Sequence, residues 1–456
     1  MDLGGFFDGT DGELVLARAP GRLDLLGGIA DYSGSLVLEL PLAESAHVAA
    51  ARTREDSVRV VSRGEQPREV VLPAGELWRA CRSLDQARDY FAGLALNERW
   101  VAYVLGGLSL LQAERGLRLE GGLRVLLDSK VPEGKGVSSS AAIEVASLAA
   151  LAELWGAPLS GLELGLACQR VENLVVGAPC GVMDQLTAAC AEEGRLLAIL
   201  CQPAQLQGCL ELPDDLAVLG IDSGVRHAIG GGHYGRVRTA AFMGLRILAE
   251  RLGARVVPLA PGRVALEDDP LAGYLANLGP ERLTPALVDA LPERISGGEF
   301  LTRYAGISDA VTSVATASQY MVRAAALHPI FEHERARSFV AGLAGACDDG
   351  SRGELGQLLF ASHESYSACG LGSPGTDRLV ELARGAGAAA GIFGAKITGG
   401  GGGGTVVVLA RRDALSSVHA IARQYAGETG RAAQVFARSS PGALSTPPVR
   451  RKLVRH

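Results

Sequence analysis

Apolar and polar positions along the first hundred or so residues predict a sheet followed by a buried helix. Residues 13–17 and 35–40 have strand-like patterns, and residues 19–22, which hold a Pro-Gly pair, predict a turn after the first of them. Residues 46–72 alternate between apolar and polar positions, which predicts further strands of a mixed sheet. Apolar residues at helical spacing over 98–114 predict a buried helix.

The rest of the chain mixes predicted strands and helices. A strand over 122–128, a glycine-rich loop and a helix near residue 141 follow one another. Residues 253–300 hold several prolines and turn pairs and give no clear pattern. A candidate domain boundary lies near 203–215. The other predicted helices cover 161–176, 236–252, 333–348 and 353–361, and the other predicted strands cover 196–201, 216–222 and the two flanks of a glycine run at 399–404.

Composition narrows the class of protein. The chain has 456 residues, 48% of them hydrophobic and 21% charged, which predicts two or three globular domains. A net charge of −6 gives no drive toward nucleic acid or anionic lipid. No uncharged apolar run is long enough for a membrane span, and the acidic first residues do not resemble a signal peptide. Eight cysteines without a C-x-x-C pair favour reduced thiols and a cytoplasmic location.

Residues 132–144 carry the clearest chemical signal. Two glycines, Gly134 and Gly136, flank Lys135, and three serines precede a helical run. Glycine lets backbone N–H groups approach an anion, and the helix N-terminus adds a partial positive charge at the same place. An ordinary serine cap would need only one serine, so we favour a phosphate-binding loop, although no Walker A pattern is present. A dinucleotide-binding unit is excluded because a second predicted helix follows the first.

Three other segments allow structural as well as chemical interpretations. The six glycines at 399–404 could form a flexible linker, but their position between two strands favours a loop that wraps a ligand. Arg22, Asp24 and Asp31 could form a surface salt bridge. Asp184 follows an apolar triplet and could simply begin a helix. None of these three would establish a function alone.

Taken together, these segments resemble the galactokinase branch of the GHMP small-molecule kinases. The matching motifs are APGRLDLLGGIADYSG at 19–34, PEGKGVSSSAA at 132–142, GVMDQ at 181–185 and GAKIT at 394–398 with the glycines after it. Residues 222–227 and 232–235 resemble a sugar-facing stretch of the same family. The resemblance implies an α+β fold of two domains, 1–205 and 206–456, with the active site in the cleft between them. It also implies transfer of the ATP γ-phosphoryl group to the anomeric hydroxyl of a sugar.

The resemblance assigns roles residue by residue. Asp184 matches the catalytic base and Arg22 a catalytic cation. The implied sugar contacts are Asp24, Gly28, Ile29, Asp31, Gly181 and Tyr234. The implied ATP contacts are Gly134, Lys135, Gly136, Val137, Ser138, Ser139, Ser140, Ala141, Gly400 and Gly401. Ser139 and Glu172 match positions that hold Mg²⁺. The expected partners are therefore a small sugar and ATP with Mg²⁺, with no nucleic acid or membrane, and we expect a monomer.

One departure from the family pattern bears on the substrate. Galactokinases carry Glu-His where this chain has Gly28-Ile29, and the family's glutamate binds the C6 hydroxyl of the sugar. L-Arabinopyranose has the ring stereochemistry of galactose but lacks that hydroxymethyl group, and a buried carboxylate without a partner is costly. We therefore expect phosphorylation of L-arabinose. The alternatives are galactose or another galactose-like sugar, and, in a different class, a sensor that binds sugar and ATP without catalysis.

Overall fold

Helices and strands are mixed along the chain, which confirms the α+β class. The structure is a computed structural model and describes residues 4–452 apart from residues 9, 11, 65–66 and 226–231. Its strands are β1 Glu13–Leu26, β2 Leu36–Thr53, β3 Ser57–Ser62, β4 Arg68–Pro73, β5 Gly122–Ser129, β6 Arg195–Leu200, β7 Gln205–Glu211, β8 Leu216–Asp222, β9 Arg255–Ala260, β10 Gly262–Glu267, β11 Ile295–Ser296, β12 Gly306–Ile307, β13 Gln319–Tyr320, β14 Ile392–Ile397, β15 Thr405–Arg411, β16 Val435–Phe436 and β17 Val449–Lys452.

Fourteen α-helices connect or cover these strands within the described residues. They are α1 Ala74–Ala80, α2 Leu84–Gly93, α3 Val101–Leu105, α4 Gly107–Arg115, α5 Ser139–Leu154, α6 Gly161–Val171, α7 Met183–Cys190, α8 Gly232–Arg251, α9 Pro285–Ala290, α10 Gly297–Tyr304, α11 Val322–Leu343, α12 Asp349–Ala368, α13 Pro374–Ala386 and α14 Leu415–Thr429. None of the helices in the described part of the chain is long and apolar enough to cross a bilayer.

The larger sheet has eight strands and is built around the long strand β2. Its strand order is β17-β1-β2-β5-β3-β4, and β6 pairs with β2 and β7 beside this path. The first residues of β2 pair with β6, and its last eight residues pair with β5. Because β7 pairs with β6, residues 205–211 belong to this sheet. The division into domains at residue 205 stays a prediction.

A second sheet of four strands lies in the C-terminal half, in the order β14-β15-β8-β16. All of its neighbouring strands are antiparallel, and Asp222 at the end of β8 stands opposite Thr405 at the start of β15. The second glycine loop (residues 399–404) joins β14 to β15 at this same end. The sheet therefore places this loop next to the last residue of β8.

Helix α5 connects the core to the first glycine loop (residues 132–140). It is apolar on nearly all sides and packs against β1 and β2, with α6 and α7 beside it. Such all-round burial suits a helix at the centre of a large core. Its first residue is Ser139, so the loop that precedes it is anchored to a largely buried helix.

The structure corrects several sequence-based boundaries. The turn predicted over 19–22 is wrong, because β1 runs through Pro20 and Gly21 to Leu26 with register shifts at Pro20/Arg22 and Asp24/Leu26. The helix predicted over 98–114 is interrupted at Gly106, where a Cβ would lie 2.7 Å from Val171. Bulges and close packing therefore decide where these elements bend, and neither follows from hydrophobic period alone.

The segment after β16 returns to the larger sheet and adds an edge strand to it. Residues Val449–Lys452 of β17 pair with β1, with Glu13 opposite Lys452. Arg18 donates hydrogen bonds to Ser440 Oγ and to the Pro441 carbonyl, and Ser439 donates to the Pro41 carbonyl. The last described strand, β17, thus covers the edge of the larger sheet beside the first strand, β1.

Candidate active site

Arg22 and Asp184 form an ion pair where β1 meets the start of α7. Arg22 Nη2 and Nε lie 2.7 and 2.9 Å from the same oxygen, Asp184 Oδ1. The guanidinium is buried, whereas 25% of the Asp184 side chain is exposed. Asp184 stands in the first turn of α7, next to the positive end of the helix dipole. The pair therefore presents a carboxylate to the site and keeps its cation inside.

A bulge in β1 brings Arg22 against the first glycine loop. The pairing with β2 shifts register between Pro20 and Arg22, and a Cβ on Gly21 would lie 2.6 Å from the Val137 carbonyl oxygen. The Arg22 backbone N–H donates to the Val137 carbonyl at 3.1 Å, and Nη1 donates to the Gly136 carbonyl at 2.7 Å. A glycine at 21 is required for this contact.

Three carboxyl groups surround the Arg22 guanidinium. Glu39 Oε2 lies 3.1 Å from Arg22 Nε, the same nitrogen that donates to Asp184, and the Glu39 side chain is fully buried. Burial lowers the pKa of Arg22, but the charges of Asp184, Glu39 and Asp24 outweigh it and raise that pKa above its ordinary value. Burial and then the Asp24 charge raise the pKa of Glu39 well above its usual range. Arg22 therefore stays charged at every physiological pH.

Carbonyl groups of the first glycine loop point toward the protein, and its N–H groups are left for another partner. Gly134, Gly136 and Ser138 have φ values of 72°, 70° and 61°, so left-handed residues recur along the loop. No described residue supplies a hydrogen-bond acceptor to the N–H groups of residues 134–138. Successive free N–H groups in such a conformation, followed by a helix N-terminus, form an anion-binding concavity.

Glu172 and a serine hydroxyl meet beside this loop. Glu172 begins the π-helical segment Glu172–Val176, and the Ser140 hydroxyl hydrogen-bonds its carboxylate. Gln185 Nε2 donates to Glu172 at 2.5 Å and to Glu144 at 3.2 Å. Burial, followed by the Asp184 charge, raises the pKa of Glu172 to about 7. Burial also raises the pKa of Glu144 well above its usual range, ahead of the Glu172 charge.

These residues fit a magnesium ion better than a metal held by the protein alone. Within the described ranges, no group of three or more His, Cys, Asp and Glu side chains could hold a metal. Mg²⁺ needs few protein ligands, because waters and substrate phosphates complete its coordination. One carboxylate, Glu172, with the hydroxyls of Ser139 or Ser140 beside an anion-binding loop is such a donor set.

The second glycine loop is held in place at several points. A Cβ on Gly399 would lie 2.4 Å from the Gly136 carbonyl oxygen, so the two glycine loops are in contact. Gly402 N donates to the Leu371 carbonyl at 2.6 Å, and Gly404 N donates to the Val225 carbonyl at 3.0 Å. These bonds contradict a flexible linker and show a braced loop; that the loop wraps a ligand stays a prediction.

Asp31, Gly181 and Tyr234 lie close to one another near the ion pair. Asp31 is buried, and a Cβ on Gly181 would lie 1.7 Å from Asp31 Oδ2, so no larger residue could stand there. Burial, followed by the Asp184 charge, raises the pKa of Asp31 to about 7, and the nearby Arg238 opposes both effects. The Tyr234 ring packs edge-on against Tyr32 at 5.7 Å, and its Cδ2 would lie 3.5 Å from a Cβ on Gly400.

Gly28 and Ile29 contact a tyrosine from α12. A Cβ on Gly28 would lie 1.6 Å from Tyr366 Oη, which means that this hydroxyl occupies the place of a side chain. Tyr366 Oη accepts a hydrogen bond from Ile29 N at 2.9 Å, and the Ile29 side chain is buried. Asp24 does not face the open site, because its Oδ2 pairs with Lys396 Nζ at 2.7 Å and both side chains are fully buried.

Most of the residues proposed from the sequence are connected through Arg22, Asp184 and the two loops. Arg226 and His227 of the sugar-facing stretch lie outside the described residues. Sequence reasoning missed the buried partners Glu39, Glu144, Gln185, Arg238, Asp309 and Tyr366. Lys396 carried a signal, since it is one of only four lysines and stands close to the start of the second glycine loop, with only Ile397 and Thr398 between them.

Two family models match this arrangement in the order of the chain. The model of the GHMP kinases N terminal domain matches residues 102–192, which hold the first glycine loop, Glu172 and Asp184. The model of the GHMP kinases C terminal domain matches residues 343–429, which hold the second glycine loop. The chain belongs to the GHMP kinase family, and it shares the galactokinase branch with the relatives that follow.

Two curated relatives and one solved structure show the similarity in detail. L-arabinokinase of Arabidopsis thaliana is 41% identical over 96% of this chain and 47% of its own length, so this chain spans about half of that relative. Galactokinase of Chloroflexus aurantiacus is 32% identical over 92% of this chain and 90% of its own length. The crystal structure of Lactococcus lactis galactokinase complexed with galactose superposes with a TM-score of 0.69 at 20% identity, covering 96% of this chain and 95% of that one.

Proposed function

We propose that the chain is an ATP-dependent sugar 1-kinase that phosphorylates the anomeric hydroxyl of L-arabinose to give L-arabinose 1-phosphate and ADP. The observation that carries this proposal is the Arg22–Asp184 pair, which lies between an anion-binding loop and the buried carboxyl of Asp31. A carboxylate next to both a phosphate site and a polar pocket is placed for proton transfer during phosphoryl transfer. The similarity to L-arabinokinase and galactokinase supports the substrate class.

Asp184 is the proposed general base, and Arg22 fixes its position. Arg22 contacts Oδ1, so we assign the incoming proton to Oδ2. As the sugar oxygen forms its bond to the γ-phosphorus, its proton passes to Asp184 and the bond from that phosphorus to the β,γ-bridging oxygen breaks, which releases ADP. The Arg22 guanidinium would stabilise charge on the transferred group.

The two glycine loops are the proposed ATP site. The free N–H groups of the first loop would bind phosphate oxygens, and the second loop would close over the nucleotide. The residues assigned to ATP are Gly134, Lys135, Gly136, Val137, Ser138, Ser139, Ser140, Ala141, Gly400 and Gly401. Glu172 with Ser139 or Ser140 would hold Mg²⁺, which neutralises charge on the ATP phosphates when it is bound.

The sugar is assigned to the pocket beside Asp31, Gly181 and Tyr234, with Gly28 and Ile29 at its edge. The Tyr366 hydroxyl fills the place of a side chain at residue 28, so no carboxylate reaches the sugar from that position. A pentose has no hydroxymethyl group to satisfy there, whereas galactose would leave its C6 hydroxyl without this partner. This difference favours L-arabinose.

Galactose is the second candidate substrate, because the galactokinase relatives match nearly their full lengths. A sugar panel with ATP and Mg²⁺, followed by ADP release and by detection of the sugar 1-phosphate, separates the two. We expect the highest kcat/KM with L-arabinose. A higher kcat/KM with D-galactose would refute the pentose assignment. Binding of sugar and ATP without ADP release would identify a non-catalytic sensor instead.

A further inference from the structure

Residue 135 of the first glycine loop is held at two points by one cross-strand pair of the second sheet. Asp222 ends β8 and stands opposite Thr405, the first residue of β15. Lys135 Nζ lies 2.9 and 3.1 Å from the two carboxylate oxygens of Asp222. Thr405 Oγ1 donates to the Lys135 backbone carbonyl at 2.9 Å. The two strands therefore contact both the side chain and the backbone of a single loop residue.

Burial makes these contacts stronger than an ordinary surface ion pair. The side chains of Lys135 and Asp222 are only 11% and 9% exposed, and Thr405 is fully buried. Asp222 Oδ1 also accepts a hydrogen bond from Gly224 N at 2.8 Å, so the carboxylate is fixed from two sides. A charge pair shielded from water and fixed in this way keeps its geometry better than an exposed pair.

We propose that Asp222 and Thr405 are positioning residues that hold the first glycine loop in its nucleotide-binding conformation through Lys135. This inference rests on the proposed function, since it takes the loop to be the ATP phosphate site. The Lys135 ammonium is then neutralised by Asp222, and the backbone N–H groups bind the phosphates. The assignment of Lys135 as a direct phosphate ligand is replaced by a structural one.

The contacts of Asp222 and Thr405 with Lys135 also link the two glycine loops. The second glycine loop runs directly into Thr405, and a Cβ on Gly399 at its start would touch the Gly136 carbonyl. The same few residues at one end of the second sheet thus fix the position of both loops. Preorganised N–H groups bind an anion without first being ordered. Removing the contacts of Asp222 or Thr405 with Lys135 should therefore weaken the binding of ATP more than that of the sugar.

Separate kinetic constants for ATP and sugar test the proposal. Asp222→Asn and Lys135→Met are each expected to raise KM for ATP about tenfold, which corresponds to the loss of one well-shielded ion pair, and to change KM for the sugar less than about twofold. Because the two residues act as a unit, the double variant should have a KM for ATP within about twofold of the single variants. Thr405→Val should raise it about fivefold, and Thr405→Ser, which keeps the hydroxyl, should raise it less.

Glu428→Gln is the matched control, because it removes an exposed ion pair with Arg378 at 2.7 Å on the outer helices. We expect it to leave both KM values unchanged. If Lys135 contacts phosphate directly, Asp222→Asn frees its ammonium and leaves KM for ATP equal or lower, which overturns the proposal. Equal increases in both KM values would also overturn it. If Asp222→Asn does not fold, the comparison of Thr405→Val with Thr405→Ser decides.

Affinity for a fluorescent ATP analogue distinguishes failure of this inference from failure of the proposed function. If the parent protein binds the analogue but phosphorylates no sugar, the kinase assignment fails, and the variants still test the positioning role of Asp222 and Thr405. If the parent protein is an active sugar kinase and the variants bind nucleotide normally, only the positioning role is refuted. Loss of analogue binding in Asp222→Asn with sugar binding intact supports it.

Discussion

Replacing Gly28 by alanine tests how completely the Tyr366 hydroxyl fills the space beside the 3₁₀ helix Gly28–Ser33. A Cβ at this position would lie 1.6 Å from Tyr366 Oη and 2.5 Å from Asp24 Oδ2, with φ at +30°. The Tyr366 side chain is fully buried, so its ring has nowhere to turn. Overpacking costs about 1–3 kcal/mol, and an alanine with positive φ adds about 1–2 kcal/mol. We expect Gly28→Ala to lower the free energy of unfolding by about 2–5 kcal/mol.

A second substitution relieves the clash and makes the prediction specific. In Tyr366→Phe the nearest ring atom to the new Cβ becomes Cζ, at 2.9 Å. Alone, Tyr366→Phe should cost about 1–3 kcal/mol, because the buried Ile29 N–H loses its acceptor. In the double variant the alanine meets less resistance, so the combined loss should be at least about 1 kcal/mol smaller than the sum of the single losses.

Urea and thermal unfolding of the four proteins measure this non-additivity. Gly430→Ala is the control for backbone strain alone, because Gly430 has φ +68° and a Cβ there would meet nothing within 4 Å. It should cost only about 1 kcal/mol. Strict additivity of Gly28→Ala and Tyr366→Phe, or a Gly28→Ala loss no larger than that of Gly430→Ala, would refute the reasoning that Tyr366 excludes a side chain at residue 28.

Three other outcomes follow from the site. Asp184→Asn should lower kcat by a factor of about 10²–10⁴ with sugar binding retained, as measured by ADP release and calorimetry; activity near that of the parent protein would remove Asp184 from the base role. Because the pKa of Asp31 is about 7 when folded and 3.8 ordinarily, folding favours its neutral form and stability from this group falls as pH rises from about 4 to 7. Asp31→Asn should therefore raise the free energy of unfolding at pH 8 by up to about 4 kcal/mol more than at pH 4, and urea titrations showing the same effect at both pH values would contradict this. Gly399→Ala should raise KM for ATP in the ADP-release assay, since its Cβ would lie 2.4 Å from the Gly136 carbonyl, while Gly427→Ala, on α14 where a Cβ would meet nothing within 4 Å, should leave that KM unchanged.

The α+β class, the two glycine loops and the placement of Arg22 beside Asp184 could be predicted from the sequence and its family resemblance. Local patterns were sufficient for the strand, loop and serine-led helix at 122–154 because each part has its own short-range signal. The strand through Pro20 and Gly21 could not be predicted, since it depends on a bulge and on contact with Val137, more than a hundred residues further along the chain.

Buried partners of the site were beyond sequence reasoning for a related reason. Glu39, on β2, shows no local sign that it will approach Arg22, because the pairing of β1 with β2 creates that contact. Tyr366 looks like any aromatic residue on a helix until Gly28 is placed against it. The sequence places Lys135 in the first glycine loop. Its pairing with Asp222 depends on how this loop, which follows β5, meets the end of β8 in the other sheet. Long-range geometry, and not residue type, decides these contacts.

The pairing of β17 with β1 has a consequence for how the polypeptide is made. β1 ends at Leu26 and β17 begins at Val449, so a nascent chain exposes β1 long before the strand that covers this edge of the sheet has been made. Until then β1 offers unpaired N–H and C=O groups on its open side, which other nascent chains could pair with. The entropic cost of ring closure rises only logarithmically with the number of residues enclosed. The long separation therefore delays the formation of the β1–β17 pair more than it reduces the stability of that pair. Ribosome-bound chains stopped before residue 449 are therefore the species in which self-association is expected first.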